Sequence, residues 1–234
     1  GWTEMGQGVH TMAVQVFCNE TGLDPSLVEV RVESSDGLNT GMTTSSRATA
    51  LMGNAIIDAC RRIKQDLEKS KPAQLIGNTY LGSFVCDWTT KPGTDTENPV
   101  THFAYGYATQ LVTLDDDGKI EKVVAAHDVG KVMNANLFEG QIEGAVHMGL
   151  GYALSEDLPM RGGRLMSDKL HKFGVLRSTE MPEVKVIAVE VPDPVGPYGA
   201  KGIGEIGLVP TAAAVANAFY QFDGKRRHHL PLSK

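Results

Sequence analysis

Gly196-Pro-Tyr-Gly-Ala-Lys-Gly-Ile-Gly-Glu205-Ile-Gly207 is a glycine-rich loop carrying one carboxylate, and the apolar, Ala-rich run 209–222 follows it. Five glycines in twelve residues let a backbone take positive φ and let a ligand approach closely. Pro210 suits the first turn of a helix, where no amide donor is needed. The expectation is a loop that places Glu205 just ahead of a helix N-terminus. Gly202-Ile-Gly204-Glu-Ile-Gly207 also fits the dinucleotide pattern G-x-G-x-x-G. That pattern acts after a buried strand that opens a βαβ unit. Pro194, Gly196, Pro197 and Gly199 interrupt the approach. A nicotinamide-dependent dehydrogenase would need a strand ending at Gly199.

Working outward, apolar positions Val9, Met12, Ala13, Val16 and Phe17 recur at helical spacing, with Gly22 as a stop. Residues 27–32 alternate apolar with charged and read as a half-buried strand. A polar loop, 34–46, ends in Thr43-Thr-Ser45-Ser46 before a long helix closed by Pro72. Residues 80–88 read as a strand and 89–99 as a loop. Asp115-Asp-Asp-Gly118 is a hairpin turn signal between strands at 101–114 and 120–127. A helix at 137–154 contains Gly144, Gly149 and Gly151, which suggest close packing against a backbone or a ligand. A strand at 184–191 precedes the final loop and helix. This order predicts an α+β fold with helices on mixed sheets. Two subdomains are expected, 1–75 plus 137–234, and 76–136.

With 28 acidic against 22 basic residues and a net charge of −6, the composition does not point to nucleic acid. No apolar run reaches the ~20 residues of a membrane span. Cys18, Cys60 and Cys86 form no C-x-x-C pair, so neither a zinc knuckle nor an iron–sulfur set is indicated, and a reducing, cytoplasmic setting is expected. There is no H-E-x-x-H and no G-x-S-x-G. The chain opens at Gly1 directly in a glycine-rich motif and is expected to be part of something longer.

Four segments stand at or just before predicted helix starts: Met5-Gly6-Gln7-Gly8, Thr44-Ser45-Ser46-Arg47, Gly140-Gln141 and Gly202-Ile-Gly204-Glu205. A helix start offers amide donors and partial positive charge to an anion or an acceptor edge. Each taken alone also reads as ordinary capping or a turn.

Together these segments resemble the molybdenum hydroxylases, the xanthine dehydrogenase and aldehyde oxidoreductase family, with the whole chain similar to the C-terminal part of the molybdopterin-binding subunit. Gly1-Trp-Thr-Glu-Met-Gly-Gln-Gly8 resembles the family's G-x-x-E-x-G-Q-G segment. Thr44-Ser-Ser-Arg-Ala-Thr resembles the helix start that holds the pterin and its phosphate. Glu139-Gly-Gln-Ile-Glu-Gly144 resembles a further cofactor segment, and Gly199-Ala-Lys-Gly-Ile-Gly-Glu205 the loop of the catalytic glutamate. Ser-Ser-Arg and Gly-Pro-Tyr-Gly-Ala-Lys look most like bacterial xanthine dehydrogenase-type subunits.

The resemblance implies molybdopterin with molybdenum, in the cytosine dinucleotide form. It assigns Met5, Gly6, Gln7, Ser45, Ser46, Arg47, Lys131, Asn134, Gln141 and Gly204 to the cofactor and Glu205 to general-base catalysis. No residue is expected to ligate the metal directly, although Gln7 and Glu205 are expected near it. The implied reaction is hydroxylation of a purine-like N-heterocycle, or an aldehyde, with oxygen from water. The implied partners are the remainder of the molybdenum subunit, iron–sulfur and FAD modules, and a small heterocyclic substrate. The chain alone is expected to be inactive. The alternatives are a non-catalytic binding or assembly module and the nicotinamide-dependent dehydrogenase.

Overall fold

The computed structural model describes residues 2–33, 37 and 40–232, and the chain divides into two compact units. Gly1 of the first motif and positions 34–36 and 38–39 of the polar loop lie outside the described residues. The first unit gathers Gly1–Gly106, Val129–Leu137 and Glu190–Gly202; the second gathers Tyr107–Asp128, Phe138–Val189 and Ile203–Lys234.

In the first unit, helix α1 (Val9–Thr21) buries Val9, Met12, Ala13 and Val16 against helix α2 (Ala48–Leu67). The spacing of those four residues makes one apolar stripe, as periodicity predicts. Gly22, at φ 71, ends α1 by donating its amide to the Cys18 carbonyl. Gly53 of α2 leaves room for Pro197, whose ring carbon lies 2.6 Å from where a Cβ would stand.

Both strands expected in this unit are corrected to extended chain without a ladder. Along 28–33 the alternation survives as half-buried Val28 and Val30 beside exposed Glu29 and Arg31. Leu27 and Val32 are exposed, and no strand pairs with the segment among the described residues. Residues 80–88 spend their polar groups on side chains of α2 instead. Arg62 donates to the Leu81 carbonyl, Tyr80 Oη to Asp66, and Asp58 accepts the Ser83 amide. Gly82 is pressed so closely on the Ala55 carbonyl that a side chain would overlap it. These bonds tie 80–83 to α2, and 76–106 fall within the first unit, whereas the sequence suggested a separate segment over 76–136.

The second unit is built on a mixed sheet. Strand β1 (Ala108–Leu114) pairs antiparallel with β2 (Ile120–Asp128). The turn between them works as its residues suggest: Asp115 Oδ1 accepts the amides of Asp117 and Lys119, and Gly118 has φ 78. β1 begins at Ala108 rather than at 101. Helix α3 (Ala135–Leu154) and a small hairpin of β3 (Met160–Arg161) and β4 (Arg164–Leu165) follow. Strand β5 (Glu183–Val189) then joins β2 in parallel, giving the order β1-β2-β5. Helix α4 (Thr211–Asp223) packs on β1.

The core of this unit holds Val123, Ala125, Ile142, Val146, Leu150 and Val215, each at most 1% exposed. Gly149 lets α3 approach α4, with Thr211 Cβ 2.5 Å from where a side chain would begin. Gly151 faces the Glu156 side chain. Gly144 opens on empty space, and the close neighbours of Gly149 and Gly151 are side chains, not the backbone or ligand expected. The fold is α+β with helices against a mixed sheet.

Candidate functional site

The loop that carries Glu205 is organised by the chain's own packing. In the first unit, Asp193 Oδ1 accepts the amides of Val195 and Gly196, both at 2.8 Å. The Gly199 carbonyl accepts the amides of Asp193 and Lys131, both at 2.9 Å. A side chain at Gly196 would overlap the Ala200 carbonyl, and one at Gly202 would overlap the Ser46 carbonyl. Tyr198, between them, sits in the left-handed region at φ 56 and donates its hydroxyl to Glu20 at 2.7 Å. In the second unit, a Cβ on Gly207 would meet Ala145 of α3 at 2.6 Å. Close approach at Gly196, Gly202 and Gly207 is therefore to protein rather than to a ligand. β5 ends at Val189 and the chain turns at Pro197–Gly199, so the strand a dehydrogenase needs before Gly199 is replaced by a turn.

Glu205 stands in the turn before α4, as the sequence indicates, with Gly204 beside it; both are exposed. Its own carbonyl accepts the Leu208 amide at 3.3 Å. Pro210 is the N-cap of α4 rather than a residue of its first turn.

The helix starts divide into two kinds. Before α1, Gly6 and Gly8 have φ 101 and 83 and curl the chain back onto Glu4. Glu4 Oε1 accepts the amides of Gly6 at 2.8 Å and Gly8 at 3.0 Å, and Oε2 accepts that of His10 at 3.2 Å. Burial pushes the Glu4 carboxyl up, but these three amides outweigh it and hold it below the ordinary carboxylate range. Three amides that could have met an outside anion are thus engaged by the protein. Gln7 is also engaged locally: its Oε1 accepts the Met5 amide at 2.6 Å and its Nε2 donates to the Thr3 carbonyl at 2.7 Å. Met5 is exposed.

Before α3, Asn134 Oδ1 accepts the Leu137 amide at 3.0 Å, an ordinary N-cap. Asn134 Nδ2 donates to Gln15 at 3.3 Å. Lys131 pairs with Glu190 at 3.3 Å. Because α3 begins at Ala135, Gln141 lies in its second turn, not its first.

α2 is different. Its N-cap, Arg47, makes no side-chain bond to the helix; its guanidinium turns to the Met42 carbonyl and stands 5.9 Å over the Trp2 ring. The two residues before it, Ser45 and Ser46, take φ 54 and 50. Left-handed backbone costs a residue with a Cβ roughly 1–2 kcal/mol, and successive amides in such a turn form a concavity that accepts anions. Ser45, Ser46, Arg47, Cys86, His102 and Gly202 are among the residues around a cavity of about 460 Å³.

Three participants were not read from the sequence. Glu4 lies inside the first motif, but its capping role depends on the positive φ of Gly6 and Gly8. Gln110 and His127 face each other across β1 and β2, and Gln110 reaches a residue 97 positions away. Among the described residues, no group of three or more His, Cys, Asp or Glu is placed to hold a metal ion, and no helix is long and apolar enough to cross a membrane.

The profile of the molybdopterin cofactor-binding domain family matches residues 1–78 and 73–182. The aldehyde oxidoreductase of Megalodesulfovibrio gigas is 30% identical over 82% of this chain and 23% of its own length. A probable xanthine dehydrogenase subunit of Bacillus subtilis (strain 168) is 25% identical over 100% of this chain and 36% of its own. The solved aldehyde oxidoreductase from Desulfovibrio gigas superposes with a TM-score of 0.82 at 26% identity, over 97% of this chain and 27% of that one. The chain thus spans 23% to 36% of the length of these relatives. The loop of Glu205 lies beyond the residues the family profile matches, within the stretch shared with the Bacillus protein.

Proposed function

The chain belongs to the molybdopterin cofactor-binding domain family, and from that premise we propose that it is part of a molybdenum hydroxylase acting on a purine-like N-heterocycle or an aldehyde. The observation that carries this reading is the start of α2. Two successive serines held in left-handed backbone, at a helix whose N-cap side chain is turned elsewhere, beside a cavity, fit a pterin edge or a phosphate. The hydroxyls of Ser45 and Ser46 and the guanidinium of Arg47 would hold that group. Met5, Gly6, Gln7, Lys131 and Asn134 of the first unit are assigned to the same cofactor, in its cytosine dinucleotide form. Gln7, Lys131 and Asn134 would exchange bonds they now make within the chain. In the second unit, Gln141 and Gly204 carry the same assignment. When bound, the molybdenum centre supplies the two-electron oxidation, with water as the source of oxygen.

Glu205 is the general base: one carboxylate oxygen takes the proton of the attacking water-derived oxygen. Its exposure in this chain leaves the bound reactants themselves to exclude water from it. Electrons leave through iron–sulfur and flavin partners, and the remainder of a molybdenum subunit completes the enzyme. The free thiols of Cys18, Cys60 and Cys86 accord with a cytoplasmic setting. The test is Glu205→Gln in the complete protein. Molybdenum content stays normal and turnover falls by about 10²–10⁴-fold, the range for loss of a placed base. Near-normal turnover ends the assignment.

A further inference from the structure

Gln110, near the middle of β1, grips the loop of Glu205 from below. Its Nε2 donates to the carbonyl of Gly207 at 2.8 Å, two positions past Glu205. The amide can point only this way, because a side-chain oxygen turned to that carbonyl would set acceptor against acceptor. The same carbonyl accepts Thr211 Oγ1 of α4 at 3.3 Å. Gly207 itself is pressed on Ala145 and Ile142 of α3. The end of a segment with no regular structure is therefore fixed by β1, α3 and α4 together.

The arrangement is not what stability alone favours. His127 is fully buried, with its Nε2 3.4 Å from Gln110 Nε2. Among the described residues, Gln110 Oε1 and His127 Nδ1 are both buried without a hydrogen-bond partner. Buried polar atoms left unpaired are costly, and an apolar side chain at 110 would remove the unpaired Oε1. The amide is kept where its one good bond goes to the catalytic loop.

We infer that Gln110 is a positioning residue for Glu205, holding the turn 203–208 so that the carboxylate keeps a single placement. The inference rests on the assignment of Glu205 as base. The test uses the complete, cofactor-loaded protein with Gln110→Met, Gln110→Glu, Glu205→Gln and the double variant Gln110→Met/Glu205→Gln. Gln110→Met keeps the shape and removes the donor; Gln110→Glu puts an acceptor where the donor was. Both are expected to lower kcat by about 10- to 100-fold, the scale of a small misplacement. KM and molybdenum content are expected to stay as they are. Backbone hydrogen exchange is expected to rise more in 203–209 than in β2 or α3. The double variant is expected to be no slower than Glu205→Gln alone, since the two residues act as a unit.

Full turnover in both Gln110 variants, beside an inactive Glu205→Gln, overturns the inference and leaves the base intact. So does an even rise of exchange through β1, β2 and α4, which marks lost stability only, or a double variant slower by the product of both effects. Normal turnover in Glu205→Gln removes the base reading and this inference with it.

Discussion

At the start of α1 the Glu4 carboxylate accepts the amides of Gly6, Gly8 and His10. At the start of α2 the N-cap side chain leaves the helix alone, and Ser45 and Ser46 stand in left-handed backbone. Both places offer the same helix-end field. In one, a carboxylate of the chain has already taken it up, and the glycines that allow the curl carry no strain. In the other, residues with a Cβ are held where glycine would be easier. Strain of that kind persists when the surroundings over-determine it, and it collects at ligand sites. On the proposed reading, it is the strained beginning and not the capped one that receives the cofactor.

The largest effect that tests this contrast should come from Gly202→Ala. The added carbon would overlap the Ser46 carbonyl, a backbone atom that cannot swing aside. A loss of roughly 3 kcal/mol or more is expected, read as a lowered unfolding midpoint together with lost molybdenum. A variant of normal stability would mean that the α2 start is not held by this contact. Next is Glu4→Ala, which removes the cap of α1 and should cost about 1 kcal/mol while molybdenum content holds. If Glu4→Ala instead empties the protein of metal at unchanged stability, the contrast between the two helix starts is broken.

The parts of this molecule that were readable in advance are those governed by near neighbours. The stripe from Val9 to Val16, the Asp115 turn, the β5 alternation and the Ala-rich α4 each show their period or turn chemistry within a dozen residues. The alternation at 27–32 and the run at 80–88 misled because a strand needs a partner ladder, and a period of two reports only which side is shaded. At 80–88 the would-be ladder groups went to Asp58, Arg62 and Asp66 of α2, side chains no local pattern could nominate. The place of Glu205 in a turn ahead of α4 was legible from its loop, yet the grip of Gln110 on Gly207 joins positions 97 apart and leaves no mark in either segment. Glu4 was in plain view inside a motif, but its work depends on backbone angles two and four residues later.

Acid should sharpen the comparison through smaller effects. Burial holds the His127 imidazole below its ordinary value, so unfolding lets it take up a proton. Its contribution is complete above about pH 6.5 and is lost as pH falls below that. Glu4, held low by its amides against the push of burial, contributes above about pH 4.3 and loses its share as pH falls through the folded value. Unfolding midpoints followed from pH 8 to about pH 3 should therefore decline in two windows. His127→Gln should flatten the upper one and Glu4→Gln the lower; a profile untouched by either substitution would contradict the assignments.

The most direct measurement is the molybdenum-to-protein ratio of the complete protein carrying Ser45→Gly and Ser46→Gly, taken beside its unfolding midpoint. Glycine relieves the left-handed strain, so stability should rise by roughly 0.5–1 kcal/mol per site. The lost hydroxyls should nonetheless lower cofactor affinity by about tenfold, leaving a more stable chain with less metal. A full complement of molybdenum in that stabilised variant would contradict the account.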